Sequence, residues 1–97
     1  MIAPVIHIKG STLATLRSEN DGARCALRIA IEALEDAAPR ARDFEPLGSG
    51  AFGEACREHG ARVSRLKATL RELDELGEHL DDAYYARELP PRRGHAT

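Results

Sequence analysis

The chain has 97 residues, a formal net charge of −2 and a pI near 6.1, which bounds it to one small domain with no strong electrostatic pull toward nucleic acid or anionic lipid. Two Phe, two Tyr and no Trp leave few platforms for base stacking, and no apolar run reaches the roughly 18 residues of a membrane span. Two cysteines, Cys25 and Cys56, are too few for a disulfide scaffold.

Residues 1–10 read as an extended lead-in. Pro4 blocks early helix, and Val5, Ile6 and Ile8 favour extended backbone. This stretch lacks the charged leader and long apolar core of a secretory signal, so no cleaved signal peptide is expected. Ser11 or Thr12 is a candidate N-cap. Leu13, Leu16, Asn20, Ala23, Leu27, Ala30, Leu34 and Ala37 then recur at alternating spacings of three and four. That rhythm predicts a helix over residues 12–38, ended by Pro39. Asn20-Asp21-Gly22 is its weak point, because Gly alone costs roughly 1 kcal/mol against Ala in a helix interior. The ladder keeps phase across it, which favours a continuous helix; the competing reading starts the helix at Asn20 or Asp21.

Residues 39–50 hold Pro39, Pro46, Gly48 and Gly50 and form the connection. A second helix is predicted over residues 51–89. Its rungs are Phe52, Cys56, His59, Val63, Leu66, Leu70, Leu73, Gly77, Leu80 and Tyr84, again at spacings of four and three. At 1.5 Å per residue it is a rod of roughly 57 Å. Pro90-Pro91 end it, and the tail over residues 90–97 is expected to be disordered. A hairpin that turns near Phe44 sets Cys25 and Cys56 about eight residues out of register, or roughly 12 Å, beyond the reach of a bridge within the chain.

Two helices with a short connection fold back as an antiparallel hairpin, here a domain over residues 1–89. Each stripe is wider than one neighbour needs. Ala26, Ile31, Ala33 and Ala38 flank the first ladder, and Ala55, Leu76 and Ala83 the second. Wide stripes suit bundles, so the expected fold class is all-α: a two-helix hairpin that forms a four-helix bundle by dimerisation. Its interface is expected at Leu13, Leu16, Leu27, Ile31, Leu34, Val63, Leu66, Leu70, Leu73, Leu76 and Leu80.

No catalytic, cofactor-binding or metal-binding residues emerge. No Lys-Ser or Lys-Thr follows the glycines, as a P-loop needs. Cys56 and His59 lie three apart, but no third ligand is evident and buried ladder positions explain both. His7, His79 and His95 are scattered, and Asp81-Asp82 reads as a solvated helix face. The chain is therefore read as an interaction protein rather than an enzyme. Asn20, His59 and Gly77 interrupt the ladders, either as tolerated packing defects or as residues that disfavour wrong alignments.

An extended start, one helix, a Gly-bearing turn and one longer helix resemble the WXG (Trp-x-Gly) family of small Esx-like type VII secretion proteins. The resemblance spans nearly the whole chain. It is carried by Leu47-Gly48-Ser49-Gly50-Ala51-Phe52-Gly53 at the turn and by Tyr84-x-x-x-Glu88. The turn is similar to that of actinobacterial relatives whose aromatic is Phe; a strict Trp-x-Gly is absent, and Phe52 stands in its place. The resemblance implies a secretion signal at Tyr84 and Glu88, displayed beyond the bundle and read by the type VII secretion ATPase. It implies a partner too: an identical or similar hairpin protein, or the N-terminal helical domain of a larger toxin. The chain would fold in the cytoplasm and then be secreted or reach the cell envelope. The competing function is a helical adaptor or chaperone that is never exported.

Overall fold

The computed structural model describes residues 2–5 and 10–88, the side chains of the last two excepted. Two helices, α1 (Leu13–Asp36) and α2 (Ala51–Glu88), are joined through single 3₁₀ turns at Ala41–Asp43 and Glu45–Leu47. They pack side by side in opposite directions: Arg17, early in α1, meets Asp81, late in α2, whereas Glu35 meets Lys67. The architecture is an all-α hairpin, a rod of 74 × 29 × 20 Å. The expected tail over residues 90–97, and Leu89, lie outside the described residues.

α1 begins where a side chain satisfies its first free amide. Thr12 is extended at φ −74°, ψ 158°, and its hydroxyl oxygen accepts from the Thr15 N–H at 3.1 Å. The helix runs unbroken through Asn20-Asp21-Gly22. The polar groups that would favour a turn there are engaged elsewhere. Asn20 Nδ2 donates to the Leu73 carbonyl at 3.1 Å, and Asp21 accepts from Arg24 at 3.3 Å. α1 ends at Asp36 rather than at residue 38, because the residue before Pro39 is pushed out of the helical region. The Ala37 N–H still reaches the carbonyls of Ala33 and Leu34, both at 3.1 Å.

The core is thin. Leu13, Ile31 and Leu80 are buried at 7%, 6% and 3% exposure, and no described side chain is fully enclosed. Leu16, Leu27, Leu34, Val63, Leu66, Leu70, Leu73 and Leu76 are only half-buried. Residues 3–5 of the lead-in are non-helical and lie over Leu13, Leu80 and Ala83 at the open end of the hairpin.

The phase of α1 differs from the expected ladder. Ala23, Ala30 and Ala37 are exposed, and Arg24 and Ile31, one residue later, face α2 instead. Turned this way, α1 buries Ile31 rather than Ala30 against α2 and brings Arg17 and Arg24 onto Asp81 and Asp74. On α2, Cys56 is likewise an exposed position rather than a buried rung, and Ala55 is half-buried in its place.

Candidate functional site

The two sides of the hairpin differ in kind. Among the described residues, all four ion pairs that join the helices lie along one flank. Arg17 meets Asp81 at 2.8 Å, Arg24 and Arg28 meet Asp74 at 2.8 and 3.4 Å, and Lys67 meets Glu35 at 3.3 Å. On α2 the participants Lys67, Asp74 and Asp81 recur every seventh residue and so form one stripe. The residues just before them, Leu66, Leu73 and Leu80, form a parallel stripe across the line of contact. On α1 the matching outer stripe is Leu16, Ala23, Ala30 and Ala37, widened by Ala26 and Ala33. Five of these six α1 residues are exposed alanines, and no described ion pair spans this flank. It is an apolar strip with low side-chain relief, the surface a further helix needs for close approach.

A notch fixes how the helices are aligned. Gly77 is buried, and Asn20 and Arg24 of α1 cross its backbone. Asn20 is 7% exposed, with its amide on the Leu73 carbonyl one turn earlier. Two ladder interruptions, 57 positions apart in sequence (77 − 20), thus answer each other in space. The close approach that Gly77 permits is to side chains of its own chain.

At the open end, two aromatic rings and one carboxylate gather on one cation. The Arg17 guanidinium carbon lies 4.0 Å from the Tyr84 ring centroid and 5.3 Å from that of Tyr85. The rings meet edge to face, 5.5 Å apart at 88°. Arg17 Nε donates to Asp81 at 2.8 Å, and this hydrogen bond raises the already high pKa of the guanidinium. Tyr84 is therefore half-buried under Arg17 rather than free beyond the helices, and Tyr85 is 53% exposed. Glu88 belongs to the last turn of α2; its side chain lies outside the described atoms.

At the opposite end Gly48 sits at φ 89°, ψ 177°, a region open essentially to glycine, and Gly50 at φ 93°. They turn the chain into α2, whose first backbone bond runs from the Glu54 N–H to the Gly50 carbonyl at 3.0 Å. Phe52 packs its ring 6.2 Å from that of Phe44, tilted by 46°, and stays 37% exposed. Leu47 is 71% exposed, and Gly53 is half-buried in the first turn of α2.

Of the sequence-predicted interface residues, Leu13, Ile31 and Leu80 are spent within the hairpin. The half-buried leucines keep part of their surface for another contact. Cys56 and His59 do not converge on a common site: the thiol is exposed, whereas His59 Nε2 is buried without a hydrogen-bond partner among the described residues. Among the described residues no group of three or more His, Cys, Asp and Glu side chains is placed to hold a metal. Sequence reasoning missed Arg17 and Arg24 because it scored only apolar rungs. The signal was present as opposite charges at matched seven-residue intervals, 17 and 24 against 74 and 81. A scan against protein-family models, a search of curated proteins and a search of solved structures find no match for this chain.

Proposed function

We propose that this chain is a helical-hairpin substrate or targeting partner of a type VII (Esx-like) secretion system and acts by docking its apolar flank on a second helical hairpin. The observation that carries the association is the flank that no described interhelical ion pair crosses: alanines 23, 26, 30, 33 and 37 exposed beside leucines that the hairpin leaves half-buried. Completing the burial of one such leucine adds on the order of 1 kcal/mol, and a pair of hairpins completes several together. The secretion assignment draws on the turn Leu47-Gly48-Ser49-Gly50-Ala51-Phe52-Gly53 and on Tyr84-x-x-x-Glu88 at the end of α2. Partners are a second copy, a similar small chain or the N-terminal helical domain of a larger toxin, with the secretion ATPase as reader of the signal.

The test is export from native cells. Tyr84→Ala and Glu88→Ala abolish appearance of the chain in culture medium while association persists. Secretion that continues unchanged in both variants refutes the signal assignment. A non-exported helical adaptor is the second reading, and it draws on the half-burial of Tyr84 beneath Arg17. The chain found in medium without cell lysis excludes it.

A further inference from the structure

We infer that Arg17 is a positioning residue for Tyr84, so that the recognition element is a surface built from both helices and exists only in the closed hairpin. This rests on the reading of Tyr84 as part of the secretion signal; the contribution of α1 is the new element.

Three observations carry it. First, the cluster joins residues 64 apart in sequence, Arg17 and Asp81, through a 2.8 Å charged hydrogen bond. Closing the hairpin is therefore the event that delivers the cation to the ring. Second, the guanidinium lies over Tyr84 at 4.0 Å and near Tyr85 at 5.3 Å, so one group fixes both rings. An aromatic side chain at the end of a long helix otherwise samples several rotamers, and holding one of them lowers the ordering cost of recognition. Third, the cluster is ordered without being sealed. The Arg17 side chain is 23% exposed, that of Asp81 48%, and Tyr85 53%. A partner therefore meets a preset patch: a carboxylate edge, one cation and an exposed phenol.

The secretion ATPase, in this account, discriminates a closed hairpin from an unfolded chain that carries the same Tyr-x-x-x-Glu residues. Arg17 supplies that discrimination. Arg24 offers an internal control, because it makes an interhelical pair of the same length to Asp74 one heptad away and has no described contact with either tyrosine.

The experiment measures export of the full-length chain from native cells for Arg17→Ala, Arg17→Lys, Arg24→Ala and Tyr84→Ala. Helicity and association are checked by circular dichroism and light scattering. Arg17→Ala lowers export at least about fivefold and collapses the near-ultraviolet tyrosine signal. Arg17→Lys, which keeps the charge over the ring, restores a substantial part of both, and Arg24→Ala leaves export within about twofold. Should Arg17→Ala fail to fold, Asp81→Asn releases the guanidinium without removing it and lowers export in the same sense. If Tyr84→Ala blocks export while Arg17→Ala and Asp81→Asn do not, or if Arg24→Ala is as damaging as Arg17→Ala, the positioning role is overturned and the signal reading survives. If Tyr84→Ala itself leaves export intact, the signal reading falls and takes the inference with it.

Discussion

At Gly77 an added Cβ would lie 2.8 Å from Arg24 Nη1 and 3.1 Å from Asn20 Nδ2. Both atoms end flexible side chains, so the helix need not break. The Arg24 guanidinium must swing aside and Asn20 Nδ2 must give by a few tenths of an ångström, which weakens the Arg24 pairs to Asp21 and Asp74 and the Asn20 bond to the Leu73 carbonyl. Each such bond is worth about 1 kcal/mol, against a gain of roughly 1 kcal/mol in helix propensity from Gly to Ala. Gly77→Ala therefore lowers stability by about 1 kcal/mol. Gly22→Ala, where nothing lies within 4 Å of the new Cβ, raises it by a similar amount, about 1 kcal/mol. Urea denaturation of the two variants at one protein concentration distinguishes them by opposite shifts of the midpoint. The same contrast identifies Gly77 as part of a register device and Gly22 as a tolerated cost. Composition alone treats the two glycines alike; only the contact across α1 and α2 separates them.

At the scale of the elements, helix positions followed from periodicity, and helix phase did not. Apolar rungs at spacings of three and four define a face about one residue wide of certainty, because positions three and four apart both qualify. Leu13, Asn20, Leu27 and Leu34 fit either phase. Docking on α2 chose between them: Ile31 is buried and Arg17 and Arg24 pair with aspartates of α2, which leaves Ala23, Ala30 and Ala37 outside. The connection was readable as a break from Pro39, Pro46, Gly48 and Gly50, but its two 3₁₀ turns were not. Gly48→Ala forces a side chain into φ 89°, ψ 177° and lowers stability by about 1–3 kcal/mol. Gly53→Ala serves as its control: the new Cβ meets Arg57 Nη1 at an ordinary 3.6 Å and gains roughly 1 kcal/mol. Thermal melts of the two variants move in opposite directions.

For the whole molecule, the proposed association places its partner on the flank that no described interhelical ion pair crosses. Ala30→Arg puts a charge in the centre of that strip. It abolishes association in sedimentation experiments and leaves the hairpin helical. Glu32→Arg, an exposed change toward the charged flank, leaves association within about twofold. Before substitution, the melting temperature of the chain with its partner rises with total concentration, as mass action requires of any hairpin stabilised by association. A melting temperature independent of concentration, in the presence of native cell partners, counts against docking on either flank.

Two amphipathic helices, their approximate ends and their folding back on each other were written in local chemistry: the spacing of leucines, the Thr12 cap, Pro39 and the glycines of the turn. Such features act over a few residues and need no knowledge of what lies opposite. Which stripe of α1 turns inward, the seating of Asn20 and Arg24 over Gly77, and the capture of Tyr84 beneath Arg17 depend on groups more than 45 positions apart in the chain. Those pairings were decided when the helices docked, because a charge or a missing side chain has an address only once its neighbour is in place.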